Sequence, residues 1–200
     1  MRAFVTGGTG FIGGAVVRRL LQCGHEVNAL VRPGADTRQL DGLPVSLVTG
    51  DLRDRACLRR GMEGCEWIFH VGALYSYWGY TWEEFQDTNV DGVRRVIQAA
   101  AAAGARRIVH TSSIAALGMN PDHSPATEET PSTLEQKIGS YQRSKFLGQQ
   151  VALDAALSGL PVVVVNPSSP VGVGDLKPTP TGQIIVDYLN GRMFGYVDTG

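Results

Sequence analysis

Short aliphatic and β-branched runs alternate along this chain with longer stretches whose apolar positions recur every three or four residues. AFVT (3–6) has the first character and FIGGAVVRRLLQC (11–23) the second. EVNALV (26–31) and VSLVTG (45–50) follow as strands, then DRACLRRGM (54–62) as a short helix. EWIFHV (66–71) predicts a fourth strand, and 83–103 one long helix ending in AAAAAGA with Gly104 as its C-terminal cap. RRIVHTSS (106–113) predicts a fifth strand, 118–138 a polar loop, 140–158 a helix, PVVVVN (161–166) a sixth strand and 182–190 a last helix. Strands that alternate with helices pair in parallel through right-handed crossovers. The expected fold is therefore α/β, a doubly wound parallel sheet with helices on both faces.

Composition narrows the class. Of 200 residues, 43% are hydrophobic and 18% charged, as in a soluble globular domain with a real core. Eighteen Lys and Arg against nineteen Asp and Glu leave a net charge of -1, which offers nothing to nucleic acid or an anionic membrane. No apolar run approaches the ~20 residues of a membrane span, and MRAFVTGG lacks the apolar core of a signal peptide. Cys23, Cys57 and Cys65 are odd in number and form no CxxC or His/Cys cluster. Neither a disulfide framework nor a metal site is expected, and the expected location is cytoplasmic. The chain stops at YVDTG without a closing element, which predicts that 171–200 only begins a further region.

Candidate chemistry starts at VTGGTGFIGG, which follows the first strand and opens the first helix. Gly7, Gly10 and Gly13 have GxxGxxG spacing in the strand–turn–helix–strand context that binds a dinucleotide. Gly7 suits the tight turn, Gly10 lets backbone approach a pyrophosphate, and Gly13 lets helix and strand pack closely. Thr9, Phe11 and Ile12 complete the loop, and the helix N-terminus offers free N–H groups to the phosphates. An acidic residue at the end of the second strand would accept from the ribose 2′-hydroxyl of NAD. Here Val31 is followed by Arg32, which suits the 2′-phosphate of NADP, with Arg38 as a second candidate. Asp51, in GDLRD, stands just beyond the third strand. It either accepts from the adenine amino group, with Leu52 beside the ring, or caps the helix that follows.

With the glycine loop, GDLRD, HVGA, TNVDG, HTSS and YQRSK in this order, the chain resembles the extended short-chain dehydrogenase/reductase superfamily along essentially all 200 residues. It looks most like the dihydroflavonol-4-reductase-like branch. VVNPSSPVGVGDLKPTPTG and GRMFGYVDTG are especially similar to the hopanoid-associated sugar epimerases. The resemblance implies a three-layer Rossmann fold, with 1–170 as the NADP-binding domain that carries the catalytic residues. It implies that 171–200 starts a substrate-binding domain largely missing from this chain. By the same resemblance, Arg32 selects NADP over NAD and Asp51 and Leu52 contact adenine. Val71, Gly72 and Ala73 lie beside the cofactor after His70, with Gly72 where many relatives have Ala. Asn89 organises the site, and Ser113, Tyr141 and Lys145 are catalytic. Thr111 and Ser112 approach the nicotinamide, and Pro167, Ser168, Ser169 and Val171 contact its carboxamide. Leu74, Tyr75, Ser113 and Asn166 face a small-molecule substrate. Relatives dimerise through the helices at 83–103 and 140–158, which implies a homodimer built on a four-helix bundle.

Tyr141 and Lys145 stand four apart and so share a helix face. An isolated YxxxK arises often by chance; among the other motifs it reads as a proton-transfer pair. Tyrosine titrates near 10, and a cation one turn away favours its phenolate at neutral pH. Ser113 would hydrogen-bond the reacting oxygen. Three functions stay open: an NADP(H)-dependent reductase of a carbonyl or alcohol, a nucleotide-sugar epimerase using the same groups, and a dinucleotide-binding protein without catalysis. Arg32 favours the first, and the intact Ser113, Tyr141 and Lys145 oppose the third. His70 and His110 read as packing residues, and His123 has no visible role. Tyr75, Tyr77, Trp78, Tyr80 and Trp82 either line a substrate pocket or cover core.

Overall fold

The computed structural model describes residues 1–76, 78–122, 124–193 and 195. The strands are β1 (Arg2–Thr6), β2 (Glu26–Val31), β3 (Val45–Thr49), β4 (Trp67–His70), β5 (Arg107–Thr111) and β6 (Val162–Val165). All five pairings are parallel, in the order β3-β2-β1-β4-β5-β6. The chain winds outward from β1 to β3, then returns to β4 on the other side of β1. A crevice opens at the carboxyl ends where the winding reverses, and such crevices hold ligands in doubly wound sheets.

The two faces bury different halves of each strand. Helix α1 (Phe11–Gln22) covers Ala3, Val5, Val27 and Ala29 through Val17 and Leu20. The opposite face carries Phe4, Ile68 and Ile108. It is covered by α2 (Arg55–Met62) through Leu58 and Met62, and by two later helices through Val93, Val96 and Ala152. Burial on both faces is why β1 reads as a continuous apolar run. The same reading fails in part for β6. Val162 and Val164 pack on the core, but Val163 and Val165 are 40% and 39% exposed, because this edge strand has only one face covered.

The predicted single helix over 83–103 is three pieces. Helix α3 (Trp82–Gln86) runs into one wide π turn (Asp87–Asp91), closed by the Gly92 N–H on the Asp87 carbonyl, and continues as α4 (Gly92–Ala102). Thr81 and Glu84 form a reciprocal cap at its start. Helix α5 (Gly139–Leu157) presses on the wide turn: a Cβ on Gly148 would lie 2.2 Å from the Asn89 carbonyl oxygen. Helix α6 (Pro180–Leu189) starts two residues before its predicted boundary. Thr179 caps it by accepting from the Gly182 N–H at 3.1 Å, and Pro180 occupies the first turn, where a missing N–H costs nothing.

Candidate active site

The glycine turn is held by close backbone contacts and by the Thr6 side chain. Gly7 has φ +72°, and a Cβ there would lie 2.6 Å from the Gly72 nitrogen. The Gly10 N–H donates to the Gly7 carbonyl at 2.9 Å, which folds the chain into α1. The same carbonyl would sit 2.0 Å from a Cβ on Gly13, so α1 enters in contact with the turn. Thr6 braces it: its hydroxyl accepts the Gly72 N–H at 3.0 Å and shares a 2.8 Å hydrogen bond with His70 Nδ1. Gly10 has no such crowding on its other side and opens on the cleft with Thr9, Phe11 and Ile12.

The cleft, about 1070 Å³, runs along the carboxyl ends of the central strands. At one end stand Arg32, Asp51, Leu52 and Arg53. Arg32 is exposed and makes no ion pair among the described residues. Arg38 lies outside the cleft lining and is held by Asp36 through Nε at 2.9 Å and NH2 at 2.6 Å. Asp51 does not cap α2. Asp54 does, accepting from the Ala56 and Cys57 N–H groups at 2.9 Å, because the N-cap must sit directly before the first turn. Asp51 instead accepts from Arg53 Nε at 2.8 Å, and that bond, with the Arg32 charge nearby, holds its carboxyl below the ordinary value.

At the centre, Ser113, Tyr141 and Lys145 line one wall together with Thr111 and Ser112. Lys145 is 4% exposed and donates to the Thr111 carbonyl at 3.0 Å; burial pushes its pKa down to about 8. Ser113 Oγ accepts the Ala115 N–H at 3.1 Å, which fixes the hydroxyl oxygen and leaves its proton to donate. The Ser112 hydroxyl is buried at the cleft floor without a hydrogen-bond partner among the described residues. Pro167, Ser168 and Ser169 close the far side, and Val71 to Tyr75 the near one.

Two predicted contacts, Asn166 and Val171, lie elsewhere, and Asn89 stands behind the site. Asn89 is buried behind the wall, where its amide donates to the Leu74 carbonyl (2.9 Å) and Ser144 Oγ (2.9 Å) and its oxygen accepts the Leu74 N–H (2.7 Å). It ties the β4 loop to α5 and does not face the cleft. Asn166 also turns inward, donating to the Ser113 carbonyl at 2.8 Å and Gln149 Oε1 at 2.7 Å, so the expected substrate contact is a brace for Ser113. Val171 leaves the cleft and lines a smaller cavity beside α6. The aromatic cluster splits. Tyr75 and Tyr80 line the cleft, Trp78 is 80% exposed, and Trp82 lies under the Arg143 guanidinium, 5.9 Å from the ring centroid. Tyr77, His123, Phe194 and residues 196–200 of the resemblance segments lie outside the described residues. Thr6, Arg53, Ser144, Gly148 and Gln149 were not singled out from sequence. Gly148 carried a signal, seven residues after Tyr141 and so on the same helix face.

Beneath Lys145, His70 and His110 pack side by side, ring centroids 5.3 Å apart. Burial, then the Lys145 charge, pushes His70 down to about 3; burial, His70 and Lys145 push His110 well below its ordinary value. Unfolded imidazole titrates near 6.5. As pH falls below that, the unfolded chain takes up protons that the folded chain refuses, so stability falls toward pH 3. Lys145 adds an alkaline limb: unfolded lysine keeps its proton to about 10.4, so its contribution rises with pH above about 8. Among the described residues, neither ring nitrogen of His110 has a hydrogen-bond partner. His110→Leu is expected to raise the urea midpoint at pH 5 and flatten the slope between pH 7 and 5. An unchanged slope would assign the acid limb to other groups.

A profile of the NAD dependent epimerase/dehydratase family matches residues 3–192. The chain belongs to this family. The putative dihydroflavonol 4-reductase of Synechocystis sp. is 47% identical over 197 residues, 98% of this chain and 57% of the relative. Sterol demethylase protein B of Methylococcus capsulatus is 40% identical over 98% of this chain and 60% of its own length. The dTDP-glucose 4,6-dehydratase DesIV of Streptomyces venezuelae, solved with NAD and TYD bound, superposes with a TM-score of 0.82 at 28% identity, over 96% of this chain and 63% of that one. The chain thus spans under two thirds of these relatives. Its site fits the dinucleotide of an NAD dependent epimerase/dehydratase: a Cβ would fill the Gly7–Gly13 cradle, and Ser112 keeps an unpaired buried hydroxyl at the floor.

Proposed function

We propose that this chain is the cofactor-binding and catalytic portion, over 1–170, of an NADP(H)-dependent oxidoreductase that interconverts a carbonyl and an alcohol, and that 171–200 begins its substrate-binding region. The observation that carries the reading is one cleft lined by the glycine turn, by Arg32, which makes no ion pair among the described residues, and by Ser113, Tyr141 and Lys145. The glycine turn and the α1 N-terminus would hold the pyrophosphate, Leu52 the adenine, and Arg32 the 2′-phosphate. When bound, the nicotinamide supplies or accepts the hydride. Tyr141 gives its phenolic proton to the carbonyl oxygen, Ser113 donates a hydrogen bond to that oxygen, and Lys145, charged below about pH 8, stabilises the phenolate left behind. The reductase name of the 47% identical relative supports this direction.

A second reading, a nucleotide-sugar epimerase with NAD, draws on the NAD-bound dehydratase neighbour. Calorimetric titration with NADP⁺ and NAD⁺ separates the two. NADP⁺ is expected to bind more tightly, and Arg32→Ala to weaken it about 10- to 100-fold, the worth of one charge-assisted contact, with NAD⁺ unaffected. Preference for NAD⁺, or indifference to Arg32→Ala, would place the epimerase first.

A further inference from the structure

Two loops flank the cleft at its opposite ends, and one buried side chain joins them outside it. The first loop covers 32–44, between β2 and β3, and places Arg32 on the cleft. The second follows β6. Pro167 to Pro170 line the cleft, and the chain then passes the start of α1, where a Cβ on Gly172 would lie 3.6 Å from the Phe11 ring. Gln39 of the first loop is 8% exposed. Its amide N–H donates to the Gly174 carbonyl of the second loop, and its amide oxygen accepts from Arg18 of α1 at 2.9 Å. One planar group thus gives a donor to one element and an acceptor to another. Arg18 also donates to the Gln39 main-chain carbonyl at 3.3 Å. Gly14, one turn before Arg18, leaves room for this contact, since a Cβ there would lie 3.0 Å from Gln39 Oε1. Beyond Gly174, Asp175 accepts from the Thr179 N–H and hydroxyl, both at 2.8 Å, which ties the segment to the cap of α6. The segment is therefore anchored at β6 and at α6, and where it crosses α1 its polar tie is Gln39.

We propose that Gln39 is a latch on the cofactor, a positioning residue that ties the segment after β6 across the start of α1, so that the dinucleotide enters and leaves when the Gln39–Gly174 hydrogen bond parts. This inference rests on the dinucleotide-binding reading of the cleft. A dinucleotide laid on the glycine turn would have the Arg32 loop at its adenosine end and Pro167 to Ser169 at its nicotinamide end. Gln39 joins the loops that hold both ends. The latch is closed in the empty and the loaded protein alike, so it slows entry and exit by the same factor and leaves the affinity unchanged.

Stopped-flow mixing of the purified protein with NADPH, followed by nicotinamide fluorescence, reads both rates. Gln39→Glu keeps the shape and the Arg18 contact and replaces the donor to Gly174 by an oxygen. It is expected to raise kon and koff together about tenfold, the factor by which losing one buried hydrogen bond shifts the open fraction, with Kd within about twofold of the wild-type value. Gln39→Leu, which adds no charge, should do the same. Arg32→Ala is the contrast, because it should act on koff and so on Kd. Unchanged rates in both Gln39 variants, or a rise in koff alone, would overturn the latch. So would an effect confined to Gln39→Glu, which would belong to the added charge. If NADPH does not bind the wild-type protein, the dinucleotide reading itself is at fault. The latch is then read from the protein alone, by chymotryptic cleavage after Leu176, which is 50% exposed. Both Gln39 variants should be cut there severalfold faster than the wild-type protein, since the segment opens more often, and equal cleavage rates would overturn the inference.

Discussion

Tyr141→Phe is expected to lower kcat for carbonyl reduction by about 10²- to 10⁴-fold, the usual worth of a positioned general acid, while NADP⁺ affinity stays close to that of the wild-type protein. The substitution removes one oxygen and keeps the ring. The packing of that ring against Tyr75 and Phe85 should therefore survive, and with it the cleft wall. What is lost is the proton and the phenolate that Lys145 stabilises. The fall should appear in kcat and in kcat/KM alike, because the interaction belongs to the transition state. Lys145 loses its own charge near pH 8, so the wild-type rate is expected to change around that pH and the Tyr141→Phe rate to lose that inflection. A loss smaller than tenfold would mean that solvent supplies the proton and that Tyr141 only shapes the wall. Steady-state kinetics with benzaldehyde across pH 6 to 9 read both features.

Much of this arrangement was legible in the sequence because its signals are local. The glycine spacing, Arg32 at a strand end and the four-residue separation of Tyr141 and Lys145 each fix geometry within a single turn. The parallel, doubly wound sheet followed from the alternation of elements and the handedness of crossovers. The features that escaped are set by tertiary contact. The π turn at Asp87–Asp91 has no propensity signature; it exists where Gly148 of α5 meets the Asn89 carbonyl and Asn89 reaches both Leu74 and Ser144. Asn166 was expected to face the substrate only through the family resemblance. Its amide had a nearer demand in the Ser113 carbonyl and Gln149. Asp51 could be read as a cap because the helix start was not fixed by the sequence; with the first turn of α2 at Arg55, the cap is Asp54. The exposed side of β6 was hidden too: VVVV reads the same whether one face or both are covered.

Gly13→Ala should be among the most damaging single methyl groups that a glycine of the chain could gain. Its Cβ would sit 2.0 Å from the Gly7 oxygen, 2.5 Å from the Gly7 carbonyl carbon and 3.0 Å from the Gly8 nitrogen, all main-chain atoms. No rotamer can relieve that contact. Either α1 moves off β1, opening the packing of Val17 and Leu20, or the turn itself moves. The turn is anchored on its far side, where Gly7 abuts Gly72 and Gly72 donates to Thr6. Overpacking of this kind costs about 1–3 kcal/mol and sometimes more, and rigid backbone on both sides places Gly13→Ala at the upper end. Gly8→Ala is the control. A methyl at Gly8, in the turn before α1, meets only side chains, Ala29 and Val17 at 3.4 Å and Leu40 at 3.9 Å, with no positive φ to oppose it. It is expected to stay within about 0.5 kcal/mol of the wild-type protein. Urea denaturation of the three proteins reads the difference, and NADP⁺ titration of the folded Gly13→Ala protein should show at least about a tenfold weaker site, the loss of one charge-assisted hydrogen bond to phosphate. Equal stability of the two variants would mean that α1 and the turn are not in backbone contact. The close approach of helix to strand, on which the pyrophosphate cradle depends, would then have to be abandoned.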